Sequence, residues 1–107
     1  MDENRYLELA HETFRRIVDA FDDVDWKEAD VETSGDVITI TWSDKSRCIV
    51  NTQRPVRQIW LAGGDRAWHF GWDEGSERWL DDKGSGAELV STIVDIARAK
   101  GLAISAR

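Results

Sequence analysis

Seven carboxylates fall within fourteen residues of this chain: Asp19, Asp22, Asp23, Asp25, Glu28, Asp30 and Glu32, with Lys27 the one base among them. Oxygen-only donors suit hard cations such as Fe3+, Ca2+ and Mn2+, and borderline Fe2+. The stretch contains no histidine or cysteine, so a selective zinc or copper site is not expected. A tight single-ion site needs converging ligands that are themselves hydrogen-bonded. Side chains projecting outward from a helix and a strand edge diverge, and the chemistry expected is weak, exchangeable binding of several ions. A charge run is ordinarily a solvated face. Like charges clustered on ordered backbone nevertheless repel, so the arrangement destabilises the fold unless a counter-charge meets it.

The second group is Asn51, Gln53, Gln58, Trp60 and His69. Most occupy alternate positions of neighbouring predicted strands and share one face with Ile49. Tryptophan is enriched among residues that dominate interfaces, so Trp60 among amides reads as a partner-binding anchor, although isolated exposed apolar residues are common. His69 reads as a minor metal contact or a solvent-facing strand residue, with partner contact preferred. Cys48 reads as a small buried hydrophobe, since no local base accompanies it. His11, beside Glu8 and Glu12, reads as exposed, and Trp26 is either a lid over the helix–strand loop or a residue without an assigned role. No catalytic residue is assigned, because the chain has no phosphate-binding glycine loop, nucleophile elbow or histidine–carboxylate pattern.

At 107 residues, with 41% hydrophobic and 33% charged, the chain is expected to be one soluble globular domain, 1–107. A formal net charge of -7 argues against nucleic acid and anionic membrane as partners. A single cysteine makes no internal disulfide, and no apolar run approaches the roughly 20 residues of a membrane span. No leader pattern opens the chain, and the cytoplasm is the expected compartment. Residues 1–36 carry twelve acids against four bases, whereas the other 71 residues carry nine against ten. The acidity is thus a property of one segment.

The elements that must position these groups follow from periodicity. Residues 4–22 place Tyr6, Leu9, Ala10, Thr13, Phe14, Ile17, Ala20 and Phe21 on one helical stripe. Glu8, Glu12, Asp19, Asp22 and Asp23 fall on the opposite side, interrupted by Arg15 and Arg16. From residue 28 the period becomes two, so Glu28, Asp30 and Glu32 share one side of a strand. Further strands are expected at 37–42, 47–52, 57–61, 67–72 and 78–80, separated by turn signals such as Gly63-Gly64-Asp65. Ser85 and Glu88 have the spacing of a capping box for a second helix, whose apolar face is Leu89, Val90, Ile93, Val94 and Ala97. Leu102 and Ile104 form an apolar tail that should dock. Short connections favour antiparallel pairing. Two amphipathic helices need one shared apolar surface, so the fold class is α+β: a two-layer sandwich, α-β(about six antiparallel strands)-α, with both helices on one face.

Several strings in this order resemble the frataxin family, most closely its short bacterial members. The most specific runs from Val50 to Leu61, Val-Asn-Thr-Gln-Arg-Pro-Val-Arg-Gln-Ile-Trp-Leu, which is similar to the family's V/I-N-x-Q-x-P-x-x-Q-I/V-W-L/I signature. Asp22-Asp23 after the first helix, Val37-Ile38-Thr39-Ile40, Trp68-His69-Phe70 and Trp79 add to the likeness, which covers almost the whole chain. The resemblance implies an iron-binding regulator of iron–sulfur cluster assembly that docks on a cysteine desulfurase and its scaffold protein. It implies weakly bound iron, Fe2+ or Fe3+, on the ridge Asp19, Asp22, Asp23, Asp25, Glu28, Asp30 and Glu32, with other hard divalent cations as competitors. Partner contacts are implied on the face of Asn51, Gln53, Gln58, Trp60 and His69. Many members carry an acid where Val18 stands, and Arg15, Arg16 and Lys27 add positive charge near the ridge. The implied state is a bacterial cytoplasmic monomer, with iron-dependent oligomerisation left open. Two alternatives stand beside this reading: a ferroxidase-like iron-oxidising or storage activity, and an acidic protein-interaction module without physiological iron.

Overall fold

Apolar residues at spacings of three and four put Tyr6, Ala10, Thr13 and Ile17 on the buried side of α1, Glu3–Asp19. The computed structural model describes residues 1–106. Asp2 caps α1, its carboxylate accepting from the Arg5 backbone N–H at 2.8 Å. The helix ends three residues before the expected limit, with Ala20 as its C-cap. The chain continues through turns, so Asp22 and Asp23 lie on turns rather than on the helix.

Six strands follow: β1 Ala29–Ser34, β2 Val37–Trp42, β3 Arg47–Gln53, β4 Gln58–Gly63, β5 Arg66–Asp73 and β6 Arg78–Asp81. They pair antiparallel in sequence order as one sheet. Glu28 stays outside β1, in the turn before it. A 3-10 turn over Arg54–Val56 accommodates Pro55, and Arg57 after it takes a left-handed conformation, φ 54°. The β4–β5 turn requires Gly64, whose φ of +61° suits a residue without Cβ. Among the described residues, β1 is an edge strand with no strand on its outer side, whereas β6 meets Glu88 through an isolated bridge to Leu80.

The second helix, α2, spans Leu89–Ala99. The expected Ser85–Glu88 capping box does not form. Glu88 is itself the N-cap, its two carboxylate oxygens accepting from Val90 N at 2.9 Å and Ser91 N at 3.0 Å. The Ser85 hydroxyl instead donates to Asp81 at 2.6 Å.

Strand alternation sends Ala29, Ile38, Ile40, Trp42, Cys48, Val50, Ile59, Leu61, Trp68, Phe70 and Trp79 to one face, where they meet α1 and α2. This is the α+β two-layer sandwich expected. Trp79 is 2% exposed, packs edge-on to Tyr6 and Trp72, and donates its indole N–H to the Thr13 hydroxyl at 2.8 Å. Removing that acceptor would strand a buried donor at a cost of about 1–3 kcal/mol. The tail docks as expected, with Leu102 and Ile104 packed against the core.

Candidate functional site

The acidic ridge begins where α1 stops. Successive turn hydrogen bonds, Phe21 N to Val18 O at 3.1 Å, Asp22 N to Asp19 O at 3.1 Å and Val24 N to Phe21 O at 3.0 Å, carry the chain around the helix end. Phe21 is buried and Val24 half-buried, and the carboxylates between them, Asp22 and Asp23, are exposed. Asp25 then holds the next turn: its side chain accepts from Lys27 N at 2.8 Å, and its carbonyl accepts from Glu28 N at 2.9 Å and Ala29 N at 3.2 Å. In β1, Ala29 and Val31 pair with Trp42 and Ile40 on the core side. Asp30 and Glu32 therefore stand on the open side, opposite Thr41 and Thr39.

The seven acids thus lie on three consecutive pieces of backbone: the end of α1 with its turns, the loop after it, and β1. Asp19, Asp22 and Asp23 line a cleft of about 570 Å³ with Arg16, Ala20, Val24 and the tail residues Ala103, Ile104 and Ser105. Asp30 and Glu32 are on the open sheet face, and Asp25 and Glu28 belong to the loop between. Among the described residues, no three of His, Cys, Asp and Glu converge to hold a metal ion. Such an array can concentrate cations by its field and exchange them quickly.

The open face is ordered by register. Asn51, Trp60 and His69 form one cross-strand row over β3, β4 and β5, and Gln53 faces Gln58 in the next. All five expected partner residues are half-buried on this face, beside Ile49 at 40% exposure. The Trp60 and His69 rings stack, 4.1 Å between centroids and 15° between planes. The Trp60 indole N–H donates to Gln58 Oε1 at 2.8 Å, and Gln58 Nε2 donates to Asp82 Oδ2 at 3.1 Å. His69 Nδ1 lies 3.8 Å from that same carboxylate oxygen, an ion pair when the imidazole is protonated. Asp82, which closes this ring, was not among the expected residues. Its backbone N–H donates to His69 O at 2.8 Å, extending the β5–β6 ladder by one residue. Trp60 is accordingly a fixed ring, not a loose one.

Cys48 is 1% exposed and burial pushes its thiol up, which keeps it in the unreactive thiol form. It lines a cleft of about 430 Å³ whose wall mixes Trp42, Trp68 and Ile96 with charged side chains such as Arg47, Asp95 and Lys100. His11 is exposed as expected, its Nε2 3.6 Å from Asp36, a pairing that residues near it in the chain could not indicate. Trp26 is 68% exposed, so it is not a lid.

Comparison with known proteins follows the same lines. Residues 1–100 match the frataxin-like domain. The iron-sulfur cluster assembly protein CyaY of Pseudomonas fluorescens (strain Pf0-1) is 40% identical over 83 residues, 78% of this chain and 74% of that protein. The protein of the same name from Stutzerimonas stutzeri (strain A1501) is 34% identical over 101 residues, covering 94% of this chain and 90% of its own. Among solved structures, frataxin from Psychromonas ingrahamii superposes with a TM-score of 0.85 at 23% identity, covering 98% of this chain and 97% of that one. The trimeric frataxin of the yeast Saccharomyces cerevisiae, complexed with ferrous iron, gives a TM-score of 0.59 at 23% identity over 94% of this chain and 86% of its own. No described helix is long and apolar enough to cross a membrane. With residues 1–100 matched by the frataxin-like domain, and these relatives 40% and 34% identical over 78% and 94% of the chain, this chain belongs to the frataxin family.

Proposed function

We propose that this chain, as one frataxin-like domain, is an iron-binding regulator of iron–sulfur cluster assembly. The observation that carries the reading is the 34% identity, over 94% of the chain, to a relative named as an iron-sulfur cluster assembly protein. Iron binds weakly at Asp19, Asp22, Asp23, Asp25, Glu28, Asp30 and Glu32, as several exchanging ions, with other hard divalent cations competing. The divided, non-convergent carboxylates support exchange over tight capture. The half-buried face of Asn51, Gln53, Gln58, Trp60 and His69 meets the cysteine desulfurase and scaffold protein, where the rigid Trp60 ring supplies the anchor. The setting is the bacterial cytoplasm, where such assemblies work on reduced thiols.

Anaerobic Fe2+ titration of the isotope-labelled protein tests the iron part. Amide signals from Asp19 to Glu32 are expected to broaden first, in fast exchange. Broadening elsewhere with that stretch unaffected would overturn the ridge assignment.

A further inference from the structure

The sandwich has a gap away from both the ridge and the open face. One row of core-side positions runs Ile40, Cys48, Gly63 and Arg66 across β2 to β5, and Gly63 leaves it one side chain short. A Cβ at Gly63 would stand 2.8 Å from Cys48 Sγ and 3.7 Å from Ile96 Cδ1, so the glycine keeps open the space those atoms border. The cleft there, about 430 Å³, lies between the β4–β5 turn and the second half of α2. Its inner wall carries Trp42, Cys48 and Trp68, none more than 9% exposed. The Arg66 guanidinium sits over the Trp68 ring, 4.6 Å from the centroid, which holds it beside that wall.

We propose that this cleft binds a small aromatic carboxylate, its ring against the Trp68 and Ile96 wall and its carboxylate on Arg66 and Arg47. Buried apolar walls with a few placed polar groups are the usual make-up of small-molecule sites, which span about 300–1,000 Å³. Charge selects the anion. Lys100 is held by Asp44 at 2.6 Å and Asp95 by Arg98 at 3.2 Å. Among the described residues no ion pair engages Arg47, Arg66 or Asp65, the other charged residues of the wall. Two guanidinium groups against one carboxylate leave a single positive charge, in a chain whose net charge is -7. That excess matches a monoanion and falls short of a phosphate dianion. A guanidinium also offers a fork of N–H donors that a carboxylate meets with both oxygens. Anions are repelled by the acidic surface elsewhere, so the cleft stands out as a place to receive one.

The test titrates 2-naphthoate, and separately its neutral counterpart 2-naphthamide, into the isotope-labelled full chain. 2-Naphthoate is expected to shift the Gly63, Gly64 and Arg66 amides and the Trp68 indole N–H saturably, with an apparent Kd of about 1 mM or tighter. 2-Naphthamide should bind about fivefold more weakly. Arg47→Gln/Arg66→Gln, at two exposed positions, should remove that preference and leave 2-naphthamide binding in place. Ala99→Trp, at an exposed helix position on the cleft, should fill it and abolish binding of both probes. If Ala99→Trp fails to fold, the double arginine variant still decides. No saturation up to about 5 mM, equal affinity for the two probes, or shifts centred on the ridge or the open face overturns the site. So does a preference for 2-naphthoate that survives in Arg47→Gln/Arg66→Gln.

Discussion

Trp60 and Trp26 present the same side chain in opposite ways. Trp60 is half-buried: one ring face is stacked by His69, its N–H is bonded to Gln58, and Gln58 in turn donates to Asp82, just beyond the end of β6. Trp26 stands out from an acidic loop, 68% exposed, with the Lys27 ammonium 6.0 Å from its ring centroid. The first is pre-organised by side chains of β4 and β5 and by Asp82 beyond β6, so a partner that meets it loses little freedom on binding. The second is placed by backbone alone, between the acidic residues Asp25 and Glu28 of its loop. The difference separates a surface built for shape from one built for charge.

The separation can be broken experimentally. The largest effect is expected from Trp60→Ala, which should weaken desulfurase or scaffold binding by about 30-fold, a hot-spot loss of about 2 kcal/mol, with iron titration at the ridge unchanged. Isothermal titration with and without iron measures both, and a shifted ridge titration would mean the surfaces are coupled. Asp82→Ala should come next, weakening the same binding by about fivefold because Gln58 loses its tie and Trp60 its fixed orientation. The Trp60 indole N–H resonance should shift in the free protein, which separates loss of positioning from loss of a direct contact. On the acidic side, Asp19→Asn/Asp22→Asn/Asp23→Asn should abolish ridge broadening by Fe2+. It should also raise the unfolding midpoint by about 2–5 °C, because repulsion among like charges is relieved.

The smallest effect concerns acid. Lys100, 2.6 Å away, and Ser46 hold the Asp44 carboxyl well below its ordinary value of 3.8. Asp73 and Asp81 are held lower by hydrogen bonds from Ser76 and Ser85. A carboxyl depressed in the folded state contributes stability above its unfolded value, and that contribution is lost as pH falls through the folded value. Thermal midpoints should therefore begin to fall below the ordinary 3.8 of these groups, and Asp44→Asn should show a slightly shallower fall. An identical acid profile would remove Asp44 from the account.

The strands were legible because alternation is a direct consequence of the pleat: Ile38, Ile40 and Trp42, or Ile59 and Leu61, have no other face to occupy. The register then followed from short turns, and Trp60 and His69 became neighbours without any further information. Helix ends were less legible. Asp22 and Asp23 keep the helical period of Glu8, Glu12 and Asp19, so periodicity carries on where the backbone stops. At α2, Ser85 and Glu88 had capping-box spacing, but Asp81 took the serine hydroxyl and Glu88 satisfied two N–H groups by itself. Asp82 was illegible for a related reason. Its contact with Gln58 joins residues 24 apart, and no local pattern marks such a pairing.

β1 forms one margin of the sheet, and among the described residues no strand lies beside its outward backbone groups. Such a margin is a template on which a second copy could add its own strand. Asp30 and Glu32 are set along it, so two copies approaching margin to margin bring like charges together. These two carboxylates are thus also guards of solubility. Whatever neutralises them, whether protons or cations, takes that protection off the margin at the same time.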